Sequence, residues 1–157
     1  MTIQIIPATT TDIREMVALS YQKRRDYEKA QPLFWKYAQG AEKSQEDWFV
    51  ELLDKDDHIM LVAKSEEVIS GFIIGRIIPC PEVYAAGLTL MIDDFCVSSA
   101  DLWGFIGKKL IEEIKIYSKK KGVQQILIVS GAHDKPKREF LKNMNLSIAS
   151  EWYVGGI

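Results

Sequence analysis

Two adjacent carboxylates and a thiol interrupt the most apolar part of this 157-residue chain: Asp93, Asp94 and Cys96 lie within Leu88-Thr89-Leu90-Met91-Ile92-Asp93-Asp94-Phe95-Cys96-Val97. Neighbouring carboxylates at the edge of a low-dielectric cleft can hold one proton more firmly, which suits general acid or base work. On a regular strand the two face opposite sides, so at most one reaches a substrate. The competing account is structural, with one capping a loop and the other pairing with a Lys or Arg. Cys96, in mid-strand, reads as a small core residue rather than a nucleophile. His133, in the loop Ser130-Gly131-Ala132-His133-Asp134, offers an imidazole as an acid or a ligand contact, or is simply an exposed loop histidine.

The elements that must position these groups form one unit over residues 88–127. The β-branched and aromatic run through Val97 predicts a strand. A glycine-bearing turn over residues 98–107 then feeds a helix whose apolar face is Ile106, Leu110, Ile111, Ile114 and Tyr117. Lys119, Lys120 and Lys121 suit the negative end of that helix, and Gly122 suits its left-handed stop. Residues 125–129 resume as a buried strand. Such a unit aims the unpartnered first amides of the helix at whatever lies above the strand ends, a ready site for a phosphate or pyrophosphate.

Around this unit the chain predicts a strand over residues 3–6 and a helix entered through Thr9 and Asp12, with Ile13, Met16, Val17 and Tyr21 on one face. The charged run after Gln22 reads as a solvated helical face. Leu33, Phe34, Trp35 and Tyr37 follow Pro32 and form either a packing plug or one wall of a substrate cleft. A second helix starts near Ser44 and buries Trp48, Phe49, Leu52 and Leu53. Residues 58–64 and 68–78 make a hairpin, in which Gly71 and Gly75 mark a bulge or a close backbone neighbour. Tyr84 sits in the loop that follows, exposed or lining a site. Asp134 caps a last helix carrying Phe140, Leu141 and Met144, and Asn145 ends it. Residues 146–154 finish as strand or extended chain. The order β-α-α-β-β-β-α-β-α-β is that of an α/β or α+β domain, 1–157, with a mostly antiparallel sheet and one right-handed parallel crossover.

Composition narrows the function classes. A formal net charge of −2 and a pI of about 5.7 give no basic surface for nucleic acid. No apolar run approaches the roughly 20 residues of a membrane span. Two cysteines, Cys80 and Cys96, make neither a disulfide framework nor a metal site. With a start too short and uncharged for a signal peptide, these features predict a cytoplasmic protein without a metal.

This order, with Ile5-Ile6-Pro7-Ala8-Thr9-Thr10-Thr11-Asp12-Ile13 at its start, the hairpin around Leu61-Val62-Ala63 and Ile69-Ser70-Gly71-Phe72-Ile73, and Ile92-Asp93-Asp94-Phe95-Cys96-Val97, resembles the GNAT superfamily of N-acetyltransferases along nearly the whole chain. The resemblance implies that acetyl-CoA lies where the fourth and fifth strands part, its pantetheine paired with Phe95, Cys96 and Val97. It places the pyrophosphate on Leu102-Trp103-Gly104-Phe105-Ile106-Gly107 and Lys108, with Asp134 also touching the cofactor. The family pattern there is Gln or Arg, two residues, Gly, one residue, then Gly or Ala. Here Leu102 and Phe105 replace its polar first position and its middle glycine. The phenol that often acts as acid in the last helix is replaced by Leu141. The implied reaction is direct attack of a primary amine of a small molecule or peptide on the thioester. Asp93 or Asp94 would serve as base, His133 as acid, and Trp35 and Tyr84 as substrate contacts. The alternative is a non-catalytic domain that binds acyl-CoA or another ligand as a sensor. A homodimer through the C-terminal strands is a further implication of the family.

Overall fold

Residues 60–63 and 72–74 set the layers, because alternate side chains point to opposite sheet faces and both sets are apolar. The computed structural model describes residues 2–157. Its elements are β1 (Gln4–Pro7), α1 (Ile13–Ala30), α2 (Ala41–Leu53), β2 (His58–Ser65), β3 (Val68–Ile78), β4 (Thr89–Val97), α3 (Lys108–Lys120), β5 (Gln125–Ile128) and α4 (Lys135–Asn143). The five strands lie side by side in chain order, antiparallel except for the β4–β5 pair. On one face Met60, Val62, Phe72, Ile74 and Cys96 meet Ile13, Met16, Val17, Phe49 and Leu52 from α1 and α2. On the other, Leu61, Ala63, Ile73, Leu90, Ile92 and Phe95 meet Ile106, Leu110, Ile111 and Ile114 of the α3 segment and Phe140 of α4. Each such side chain, fully buried, contributes about 2 kcal/mol of apolar transfer.

The parallel crossover forms as the sequence predicts. The Schellman stop of α3 is complete: Gly122 N–H donates to Lys119 O at 3.1 Å, Val123 N–H donates to Ser118 O at 3.2 Å, and Gly122 has φ 79. Asp134 caps α4 by accepting from Lys137 N, and Asn145 takes φ 61 beyond its end. Gly71 lets β4 and the α3 segment close in, since a Cβ there would lie 2.8 Å from Cys96 O and 3.0 Å from Ile106 Cγ2.

Three expectations are corrected. The final strand does not form: residues 146–157 carry no strand pairing and run exposed, with Trp152 edge-on to Phe34 at 6.3 Å. Ile148, Trp152 and Val154 are all exposed, so no apolar face of this segment is buried that would hold it as a strand. Trp48, expected inside, is half-exposed because the buried stripe of α2 runs through Gln45, Phe49 and Leu52. The turn expected over residues 98–107 is mostly helical. A 3-10 turn, Ala100–Leu102, and a π turn, Trp103–Gly107, lead without a break into α3.

Candidate active site

β4 and β5 share rungs only from Thr89–Gln125 to Ile92–Ile128, and the last bond between them is Val129 N–H to Ile92 O at 2.9 Å. Immediately past that rung the β3–β4 register shifts: Ile74 faces Asp94 while Gly75 faces Ile92, and Asp93 is the extra residue. Such a bulge bends the strand that carries it, so β4 turns away from β5 and its edge over residues 93–97 has no strand partner on that side. The bulge also reverses the facing of the residues beyond it. Phe95 joins the α3–α4 face, whereas Asp94 and Cys96 point to the α1 face.

Asp94 is buried and held by α1: its Oδ1 receives Lys23 Nζ at 3.1 Å and Arg24 Nη2 at 3.4 Å. Burial alone would raise its pKa, but Lys23 and Arg24 outweigh that and hold the carboxyl below its usual range. The same neighbourhood holds Lys23 above the ordinary lysine value: burial opposes the charge, and the Cys96 sulfur and the Asp94 carboxylate more than offset it. Asp94 is therefore a poor base and a firm anchor. Asp93, by contrast, is exposed in the bulge. Burial pushes the Cys96 thiol up, which keeps it inert.

Beyond the last β4–β5 rung stands a residue that the apolar reading of α4 passed over. Lys137, only 1% exposed, donates from Nζ to Val129 O at 2.9 Å and to Phe95 O at 3.4 Å, bridging the two diverging strands. Burial, then repulsion from Lys23, pushes its pKa down to about 8. Beneath it Trp103 stacks on Phe140 with ring centroids 5.3 Å apart, and Phe95 meets Trp103 edge-on at 4.8 Å. The small residue at position 107 makes that floor possible, since a Cβ on Gly107 would lie 2.8 Å from Trp103 Cε3. Phe105, at the position of the family's middle glycine, points outward beside Lys109, and Gly104 is open. Because winding starts at Ala100, the amides without an acceptor in their own helix belong to Ala100 and its neighbours, ahead of the predicted Leu102–Gly107 run.

The loop before α4 is tied to α1. Tyr27 Oη donates to Asp134 Oδ2 at 2.8 Å and accepts from Gly131 N–H at 3.2 Å, while His133 packs edge-on against the Tyr27 ring at 4.4 Å and Trp35 does so at 5.1 Å. His133 and Trp35 therefore meet around Tyr27, and the Asp134 carboxylate is occupied by Tyr27 and the α4 cap. Tyr84 is separated from all of these: it borders a cavity with Thr89 and Gln125, at the opposite end of β4. A second cavity, about 450 Å³, opens between α1 and α2; Arg24, Lys36, Tyr37, Gln45 and Trp48 line it, and Arg24 reaches from there to Asp94. The Tyr37 hydroxyl is buried without a partner among the described residues.

Sequence reasoning missed Lys23, Arg24, Tyr27 and Lys137. The signal was a lysine on an apolar stripe. Lys23 falls between Met16, Ser20 and Tyr27 on α1, and Lys137 shares a face with Phe140, Leu141 and Met144 on α4.

No family model and no curated protein matches the sequence. Solved structures match over nearly the full length. A tetramutant of the BH1408 protein from Bacillus halodurans superposes with a TM-score of 0.84 at 19% identity, covering 98% of this chain and 99% of that one. A predicted acetyltransferase with acetyl-CoA from Clostridium acetobutylicum gives 0.76 at 15%, covering 99% and 96%. The aminoglycoside N-acetyltransferase AAC(6')-Iy, in complex with a CoA-containing bisubstrate analogue, gives 0.74 at 13%, covering 100% and 99%. The fold is that of the GNAT acetyltransferases.

Proposed function

We propose that this chain is an acyl-CoA-dependent N-acyltransferase acting on a primary amine of a small molecule or peptide. The observation that carries the reading is the parting of β4 from β5 at Ile92–Ile128, beside a helical segment that starts at Ala100. An extended ligand with amide groups can add to the free β4 edge as a strand would, and its diphosphate then meets the first amides of the helix. That neighbours of the same fold are solved with acetyl-CoA or CoA supports the same assignment. Entry requires Lys137 to release Phe95 O, the longer and weaker of its two bonds at 3.4 Å.

In the reaction the acceptor nitrogen attacks the thioester carbon, the C–S bond breaks, and the thiolate departs. Asp93, unpaired in the bulge and exposed, is the carboxylate available to take the amine proton directly or through water. His133 is the second candidate at that corner. Asp94 fixes α1 to β4 and does not transfer protons. The cavity holding Trp48 and Arg24 is the acceptor side, and Trp35, packed on Tyr27 with His133, is a further acceptor contact. Tyr84, at the far end of β4, is outside this site.

The test is release of free thiol from acetyl-CoA and longer acyl-CoAs across a panel of amines. Thiol release that depends on an acceptor supports the reading. No release with any pair overturns it, and tight CoA binding without turnover would mark a sensor instead.

A further inference from the structure

Lys137 bonds only to neutral acceptors, the carbonyls of Phe95 and Val129, and forms no ion pair among the described residues. An amine so deeply buried without a carboxylate is poor structural material, since two main-chain carbonyls compensate a charge only in part. Its place is specific. Nζ sits between β4 and β5 one step past their last rung, with the Phe95 ring at 5.5 Å and the Trp103 ring at 5.7 Å.

We infer that Lys137 is the general acid of the acyl transfer, delivering its proton to the coenzyme A thiolate as the C–S bond breaks. This rests on the acyltransferase reading above. The amine nitrogen forms its bond to the acyl carbon, the C–S electron pair passes to sulfur, and sulfur takes a proton from Nζ, leaving a neutral amine. A proton from solvent restores the ammonium before the next turnover, and the acceptor's own proton leaves to Asp93 or water.

Tyr27 and Cys96, the nearest phenol and thiol, are committed or turned away. Tyr27 Oη already donates to Asp134 and accepts from Gly131. Cys96 faces the α1 side. Leu141, one turn beyond Lys137 on the same face of α4, has no hydroxyl. Lys137 keeps its bond to Val129 O when Phe95 O is released, so its remaining N–H groups can turn along the gap. A pKa of about 8 suits the task, because such an amine is protonated at neutral pH and still gives up its proton readily. The groups that set that value come from every neighbouring element: Lys23 of α1 lowers it along with burial, while Cys96 and Asp94 of β4 and Asp134 before α4 raise it.

The test compares the full-length wild type with Lys137→Met, Lys137→Arg and the double variant Lys137→Met/Leu141→Tyr, reading kcat against pH and CoA affinity by calorimetry. Lys137→Arg keeps the charge and the carbonyl bonds but cannot release a proton. It should bind CoA within about threefold of wild type and lose kcat by ~10²-fold, along with the alkaline limb near pH 8. Lys137→Met should lose a similar factor, and Leu141→Tyr should restore about tenfold by putting a phenol on the same helix face. A Lys137→Arg protein with wild-type kcat and pH profile overturns the inference, as does Lys137→Met with unchanged kcat and tighter CoA binding, which would make the side chain a mere plug. Absence of turnover in the wild type overturns the acyltransferase reading and this role with it, whereas wild-type turnover with unaltered variants removes this role alone.

Discussion

Replacing Lys137 by Met should alter how stability depends on pH far more than stability at neutral pH. The drop from the ordinary lysine value of 10.5 to about 8 corresponds to a penalty of about 3 kcal/mol for keeping the ammonium inside. Below pH 8 the amine is protonated in both folded and unfolded chains, and the whole penalty applies. Between about 8 and 10.5 the folded chain has lost the proton while the unfolded chain retains it. Unfolding then takes up a proton, and stability rises with pH until the penalty is gone. Methionine removes the penalty but leaves Phe95 O and Val129 O without their donor, at about 1 kcal/mol or more each. At pH 7 these effects nearly cancel; at pH 10.5 only the second remains. The excess stability of wild type over Lys137→Met should therefore grow by about 3 kcal/mol between those pH values. Urea unfolding of both proteins at pH 7, 8.5 and 10.5 measures it, and Lys23, Asp94, Cys96 and Asp134, present in both, largely drop out of the difference. A difference flat with pH would show that Lys137 titrates like a surface lysine and would refute the burial argument.

Other outcomes follow from the same geometry. Asp94→Ala strands the buried Lys23 ammonium and should destabilise the fold by about 3 kcal/mol at pH 7, measured by urea midpoint. Because the folded Asp94 pKa is lowered, its contribution should be whole above the ordinary aspartate value of 3.8 and fade as pH falls through the folded value, so the variant and wild type converge in acid. Gly107→Ala should destabilise by about 1–3 kcal/mol through its clash with Trp103 and perturb tryptophan fluorescence, whereas Gly104→Ala, with open space around it, should stabilise by up to about 1 kcal/mol in thermal unfolding. Trp48→Ala should raise KM for the acceptor severalfold and leave CoA binding unchanged, since it lines the cavity between α1 and α2 rather than the gap between β4 and β5.

The strands, the crossover and the helix stops were legible because each is written locally. Ile106, Leu110 and Ile114 recur at helical spacing, and Gly122 and Asn145 stand where only left-handed residues fit. The bulge at Asp93 was not, because register belongs to a pair of strands and no single strand encodes it. The helix start was misplaced because Gly104 and Gly107 read as turn residues. At Gly107 the missing side chain instead serves the packing of Trp103 against Phe140. Lys23 and Lys137 were overlooked because a lysine on an apolar stripe ordinarily lays its stem along the core and keeps its head in water. Residues 146–154, expected as strand or extended chain, pair with no strand because a ladder needs an edge partner that local sequence does not supply, and no side chain there is fully buried.

The phenol of Tyr27 belongs to a helix on one side of the sheet, yet its two hydrogen bonds end in the segment that launches α4, which packs on the other side. It acts as a brace across the corner where β4 and β5 part. The walls of the opening are thus set during folding, so a guest has only to displace Lys137 from Phe95 O, and the entropy of holding those walls asunder is settled before any guest arrives.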